Sequence, residues 1–391
     1  MIDEKRIIEN LKTFSFPRLS GTRFEKKSYR IAKQKIEDLN LTPAIQKFSF
    51  TPFYSRVYPK ISLTLLSWLV LVLFLKINTI FTLINLVLVL GSILALIAIT
   101  RNPEKITIGQ KLTSQNLFVK IPNKSEKLLT QNDRLFENID NSKNIFLFSH
   151  LDSKGQLLPI KIRVLSYKIW IISYLFSYLI IIFNTFIITA INLLFNISGI
   201  FIIGINFIAT GFILLNSTNN KSKGAIDDAS GISCVMELLN YYLNPENRLK
   251  NFNLWFVFTG AEESGTMGIR NFYSHIRKLD RTENFIINFD SIAQKAILYN
   301  NGLINNVNFK SYQYILENKD LLSLEDAKKI YIGTYSDGIF LINKRFQGLG
   351  IGDKSSYSFV HSINDDVDKI NLVLLKKLCH FITILLKDND D

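Results

Sequence analysis

The sequence predicts an α/β protein in which a mostly parallel sheet, covered by helices on both faces, is interrupted twice by transmembrane helical hairpins. Three observations predict it. From residue 217 onward, short apolar runs alternate with segments of helical period, the pattern of a three-layer parallel sheet. Residues 101–168 are rich in strand-like runs. Two blocks are nearly free of charge: Ile61 to Thr100, broken only by Lys76, and Ile169 to Asn220, with no charged residue. A chain of 391 residues has room for one large or two ordinary domains. The economical reading is one domain in three pieces, 1–57, 101–168 and 217–391, with hairpins at 58–100 and 169–216.

The elements follow in order. An initial helix runs into a turn at Phe16-Pro17-Arg18-Leu19-Ser20-Gly21. A second helix lies around 23–39, where Tyr29, Ala32, Ile36 and Leu39 fall at helical spacing. A membrane helix needs about 20 apolar residues, so the first uncharged block divides into spans near 58–75 and 78–100. Strands are expected at Leu117–Ile121, Ile145–Ser149 and Leu158–Val164. The second block gives spans near 169–190 and 196–216, with a turn near Asn192–Asn196. The polar stretch 216–223 reads as a loop. Then come helix 229–243, strand Asn253–Phe258, helix 266–279, strand Phe285–Phe289, a further strand–helix alternation and a final helix 370–387.

Charge constrains partners. The formal net charge is +13, with 48 % hydrophobic residues and a mean hydropathy of +0.17. No nucleic-acid motif accompanies the basic excess. Arg56, Lys60, Arg101, Lys105, Lys161, Arg163, Lys168, Lys221 and Lys223 all flank the spans on one side, and only Lys76 lies on the other. Basic residues mark the cytoplasmic side, so the reading is a multi-pass protein of the cell membrane with its hydrophilic segments in the cytoplasm. The first 57 residues hold twelve Lys/Arg and six Asp/Glu, unlike a signal peptide. Cys234 and Cys379 form no redox or metal motif.

Ligand-type residues cluster at the ends of the strands. His150 follows the run Ile145–Ser149, with Asp152 two residues on. An imidazole ligates metal, and a nearby carboxylate orients it. Glu262 and Glu263 follow strand 253–258, and Asp290 ends strand 285–289. Asp227 and Asp228 precede a helix, and His361 lies in a loop before the last helix. In open α/β sheets ligands collect at the carboxyl ends of the strands. Two zinc ions can share one carboxylate and one water, each ion taking its own histidine and a further carboxylate. A carboxylate outside the metal set must then take the proton from the water. Adjacent glutamates divide that labour, Glu263 toward metal and Glu262 toward water. His275 and His380 lack such context and read as structural.

Taken together, His150-Leu151-Asp152-Ser153, Gly224-Ala225-Ile226-Asp227-Asp228-Ala229-Ser230-Gly231, Ala261-Glu262-Glu263-Ser264-Gly265, Asn288-Phe289-Asp290, Ser336-Asp337 and His361-Ser362-Ile363-Asn364-Asp365 resemble the di-zinc aminopeptidase family. That family includes bacterial leucyl aminopeptidases, aminopeptidase Y and the glutamate carboxypeptidase and transferrin-receptor relatives. Phe16–Gly21 and Phe48-Ser49-Phe50 resemble its opening. Asp228 stands where Asn is frequent and Ser362 where Thr is usual.

The resemblance implies a zinc-exopeptidase fold and a set of roles. Asp227 would bridge two zinc ions, with a cis bond to Asp228. His150 and Asp290 would complete one ion, and Glu263 and His361 the other. Glu262 would be the general base and then the acid for the leaving amine. Asp152 would support His150, and Asp365 His361. The expected activity is aminopeptidase hydrolysis of short peptides. Glutaminyl cyclisation and a non-catalytic binding protein on the same fold are the alternatives. The complete ligand set argues against the first, and intact Glu262 against the second. The departure from the family is the hairpin between His150 and Asp227, where a short loop is usual.

Overall fold

The structure is a computed structural model that describes residues 1–125, 143–186, 192–304, 310–327 and 335–390. Helices α1 (Glu4–Phe14) and α2 (Arg23–Glu37) open the chain, capped by Asp3 and Thr22, whose side chains accept from the amides of Lys5 and Phe24. Such caps satisfy orphan N–H groups of the first turn. Strand β1 (Ala44–Phe50) leads to α3 (Tyr58–Leu75) and α4 (Thr79–Thr100). Then come β2 (Leu112–Ile121), β3 (Asn144–His150), α5 (Ile160–Phe186) and α6 (Asn192–Leu215). The remainder alternates: α7 (Ser230–Leu243), β4 (Asn253–Thr259), α8 (Met267–Ile276), β5 (Asn284–Phe289), β6 (Ala296–Asn301), α9 (Lys310–Glu317), β7 (Leu322–Asp326), α10 (Asp337–Asn343), β8 (Gln347–Gly352) and α11 (Leu372–Asp388).

The chain divides into two compact units. The first comprises Met1–Phe50, Leu112–Gly155 and Asn219–Asp391. Its sheet has the strand order β1-β2-β4-β3-β5-β8-β6-β7. The four central strands, β4, β3, β5 and β8, are parallel to their neighbours in that group. Antiparallel pairs join β2 to β4, β1 to β2 and β6 to β8. Strands β3 and β4 are buried along their whole length, as strands with helices on both faces must be. Side chains alternate across the sheet. Phe146, Phe148, Trp255, Val257 and Ile286 pack on one face against Ile269 and Phe272 of α8 and Phe340 and Leu341 of α10. Helix α7 packs on β3, β4 and β5 and is joined by α1 and α11. At the amino ends of the central strands the Trp255 indole donates to Asn144 (2.8 Å), whose amide donates to Asn284 (2.8 Å). That chain pins the register of three strands so that their carboxyl ends align.

The second unit comprises Thr51–Lys111 and Gln156–Thr218. Among the described residues it holds four helices long and apolar enough to cross a membrane. Its interior carries a polar seam. The Trp170 indole donates to Ser67 Oγ (2.9 Å), which lies 2.9 Å from Thr210 Oγ1. Asn206 donates to Ser173 Oγ (3.0 Å) and to the Trp170 carbonyl (3.1 Å). Buried hydrogen bonds of this kind hold apolar helices together where hydrophobicity supplies no preference.

Two sequence expectations are corrected. Leu158–Val164 is not a strand: α5 begins at Ile160 and runs without a break to Phe186. Alternating Ile160, Ile162 and Val164 mimic strand period, but Lys161, Arg163 and Lys168 are basic residues on the first turns of a membrane helix. The turn expected near Asn192–Asn196 is helical, since α6 starts at Asn192. Residues 187–191, which precede it, lie outside the described residues.

Candidate active site

The carboxyl ends of β3, β4 and β5 deliver His150, the Glu262-Glu263 turn and Asp290 to one place. The loop before α7 adds Asp227, and the loop before α11 adds His361. His150 Nε2 lies 2.9 Å from Asp227 Oδ1, and His361 Nε2 lies 3.0 Å from Asp227 Oδ2. One carboxylate thus turns an oxygen to each histidine. His361 Nε2 is also 2.8 Å from Glu263 Oε1. Two groups of donor atoms result, His150–Asp227–Asp290 and Asp227–Glu263–His361, each with its atoms within 4.8 Å of one another. The five residues named in the sequence as metal ligands are these five. An imidazole and carboxylates around a shared carboxylate is the donor chemistry of a zinc pair, so the residues present fit the ions that the resemblance implies.

Local sequence explains the placement. The Asp227–Asp228 peptide is cis, as the resemblance implied. Asp228 turns away from the donor cluster. Its Oδ2 accepts from the His150 amide (3.1 Å) and its Oδ1 from the Gly231 amide (3.0 Å). A Cβ at Gly231 would lie 2.3 Å from Asp228 Oδ1, so glycine there is a steric requirement. His361 has φ +63, an uncommon conformation for a residue with a Cβ, and its imidazole is thereby aimed at Asp227 and Glu263.

Asp152 does more than sequence suggests. Its backbone carbonyl faces His150 Nδ1 at 3.0 Å. Its carboxylate accepts from the amides of Glu262 (3.0 Å) and Glu263 (3.1 Å) and from Ser20 Oγ (2.5 Å). Asp365, expected to support His361, accepts from the Ile226 amide (2.6 Å) and Ser222 Oγ (3.1 Å), and so fixes the turn that presents Asp227.

The electrostatics follow from burial opposed by close pairing. Burial works against charge on His150, but its bonds to Asp152 and Asp227 outweigh it and hold the imidazolium form well above the ordinary range. Asp227 is buried too, yet His150 and His361 hold it well below the carboxylate range. Glu263 falls to about 2, because His361 and Lys154 overcome its desolvation. Glu262 goes the other way: burial, with the charges of Glu263, Asp290 and Asp337, pushes it well up despite His150. Adjacent glutamates are thus split into an anion and a proton acceptor of raised basicity.

Three residues near the site escaped the sequence reading. Lys154 forms an ion pair with Glu263 at 2.5 Å; it lies two residues beyond Asp152 and could have been found there. Asp337, named only as part of a motif, accepts from Thr259 Oγ1 and is pushed up to about 7, by burial first. Glu25 is 3 % exposed and bonds to the turn before Glu262. His275 and His380 lie elsewhere, against Gln46 and the Tyr314 ring.

Residues 209–384 match the sequence pattern of Peptidase family M28. This region is similar to peptidase family M28. The M28 match takes in Asp227, Glu262, Glu263, Asp290 and His361; His150 and Asp152 precede it. A vacuolar membrane protease of Schizosaccharomyces pombe is 28 % identical over 154 residues, 38 % of this chain and 17 % of that protein. The match therefore spans less than a fifth of that relative. The zinc aminopeptidase BSAP of Bacillus subtilis superposes with a TM-score of 0.52 at 13 % identity, covering 98 % of this chain and 95 % of BSAP. The glutaminyl cyclase of Macrostomum lignano superposes with a TM-score of 0.52 at 10 % identity, covering 99 % of this chain and 89 % of the cyclase. The chain thus shares one fold with enzymes of two chemistries.

Proposed function

We propose that the chain is a membrane-anchored, zinc-dependent exopeptidase, an aminopeptidase that removes N-terminal residues from short peptides. The observation that carries this is Asp227, which offers one oxygen to each of two three-residue donor groups. His150 and Asp290 would hold one ion, Glu263 and His361 the other, with Asp227 shared. Two such ions supply Lewis-acid polarisation of a carbonyl and a more acidic water. Glu262 takes the proton of the attacking water and delivers it to the departing amine. Its raised basicity in a buried setting suits both transfers. Asp152 keeps Glu262 in register through the main chain.

The membrane spans support a multi-pass anchor, and the basic residues that flank them support a cytoplasmic placement of the peptidase segments in the cell membrane. Protease protection in sealed vesicles of known orientation tests that side.

The activity test is hydrolysis of a panel of aminoacyl chromogenic substrates by detergent-purified, zinc-loaded protein. Release of chromophore that chelation abolishes supports the reading. Cyclisation of N-terminal glutaminyl peptides without hydrolysis would replace it. Zinc bound in no more than trace amount, with neither activity, would leave a binding protein on this fold.

A further inference from the structure

We propose that Glu25 is a positioning residue for the Glu262-Glu263 turn, acting with Asp152 as a two-carboxyl cradle for three consecutive backbone amides. The proposal rests on the peptidase reading for its kinetic consequences. Glu25 Oε1 accepts from the Ala261 amide at 2.8 Å. Asp152 accepts from the next two amides, those of Glu262 (3.0 Å) and Glu263 (3.1 Å). The two carboxyls come from the start of α2 and the loop after β3, so the turn is gripped from two distant parts of the chain.

The grip is built, not incidental. Glu25 is 3 % exposed, and every oxygen is used: Oε1 also accepts from Ser114 Oγ (2.6 Å), and Oε2 from the Gly21 amide (2.6 Å). Gly260 is tight against the same cluster, since a Cβ there would lie 2.2 Å from Ser114 Oγ and 3.1 Å from Glu25 Oε1. Ala261 has φ +52. A left-handed alanine persists only where its surroundings over-determine it, and the bond from its amide to Glu25 is one such constraint. That conformation turns the chain out of β4 and sends Glu262 and Glu263 toward the donor cluster. Glu25 touches neither donor group, so it acts through the turn. A shift of the turn moves both glutamates at once, and misplacement of a catalytic group by even about 1 Å is costly.

The test compares full-length wild type, Glu25→Gln and Glu25→Asp in detergent. Gln keeps an acceptor oxygen for the Ala261 amide at the same reach, gives up the bond from the Gly21 amide and cannot ionise; Asp stays a carboxyl and withdraws the acceptor by one methylene. Two readouts are taken: zinc affinity by competition with a chromogenic chelator, and kcat and KM on the best aminoacyl substrate. Partners of this kind are worth about ten- to a hundredfold. Glu25→Asp is expected to lower kcat by that factor with KM within about twofold, and to weaken one of the two zinc steps about tenfold. Glu25→Gln is expected within about threefold of wild type in both, a rescue that a purely electrostatic or bulk structural role would not give. Unchanged kcat and zinc affinity in Glu25→Asp overturns the proposal, as does equal loss in both variants. If Glu25→Asp does not fold, Ser114→Ala replaces it, removing one donor to the same oxygen. A fall in kcat or in one zinc step there supports the proposal, and none overturns it. If wild type binds two zinc ions but cleaves no substrate, the aminopeptidase reading fails, and selective loss of one zinc step in Glu25→Asp still upholds the cradle.

Discussion

Asp152 holds Glu262 by its main chain: the Asp152 carboxylate accepts the Glu262 amide at 3.0 Å and leaves the Glu262 side chain free of it. The bond separates placement of the proposed base from its chemistry. Asn at position 152 keeps one acceptor oxygen but turns an N–H toward the second amide, which a hydrogen bond then cannot join. Asp152→Asn is expected to lose about ten- to a hundredfold in kcat and, because the turn carries Glu263, to weaken one zinc step about tenfold, read by steady-state kinetics beside competition titration.

Removal of the base itself separates chemistry from metal binding. Glu262→Gln is expected to lose at least about 100-fold in kcat with zinc content unchanged, because Glu262 is in neither donor group. Loss of zinc in that variant would place Glu262 among the ligands.

The shared carboxylate should show itself in stoichiometry. Asp227 belongs to both donor groups, whereas Asp290 belongs to one. Asp227→Asn is expected to weaken both zinc steps and Asp290→Asn only one, measured by competition titration. Equal effects would remove Asp227 from its bridging place.

Metal-free protein should be less stable in mild alkali than in mild acid. Burial and the neighbouring Asp152 push Glu25 up to about 8, and burial and Asp227 push Asp365 up to about 7. Each folded-state value is raised above the unfolded one, so each contribution is complete below the unfolded pKa and is lost as pH rises through the folded one. The loss therefore runs from about pH 4 to about pH 8. Thermal unfolding of chelated protein at intervals across that range checks it, and Glu25→Gln should flatten the upper part of the curve.

Within the membrane unit, Trp170→Phe removes the donor to Ser67 and keeps the ring. The expected cost is about 0.6 kcal/mol, read as earlier unfolding of the hairpins in denaturing detergent, with little change in zinc content.

Much of this molecule is legible in its sequence, and the limits have physical causes. Strands β3, β4 and β5 announce themselves as unbroken apolar runs because both their faces are covered. The ligands stand out because imidazoles and carboxylates recur at strand ends. Leu158–Val164 misled because β-branched residues alternate with basic ones at the mouth of a membrane helix, imitating strand period. Asp365 and Asp152 were recognised as residues but not for what they hold. Their partners are backbone amides of distant turns, and a backbone amide carries no residue signature. Glu25 left a trace: it shares the buried face of α2 with Ser28, Tyr29, Ala32 and Ile36, at a spacing where a carboxylate needs donors from elsewhere.

The cradle also orders the assembly of the donor cluster during synthesis. Glu25, Asp152 and Ala261 belong to three stretches of one compact unit, Met1–Phe50, Leu112–Gly155 and Asn219–Asp391, and two apolar hairpins are translated between them. When Glu25 emerges, the amide it will hold is more than two hundred residues from being made. Loop closure over such separations makes assembly late and slow. The two donor groups can therefore form only after both hairpins have been synthesised, and a nascent chain arrested at the end of the second carries one of the five donor residues, His150.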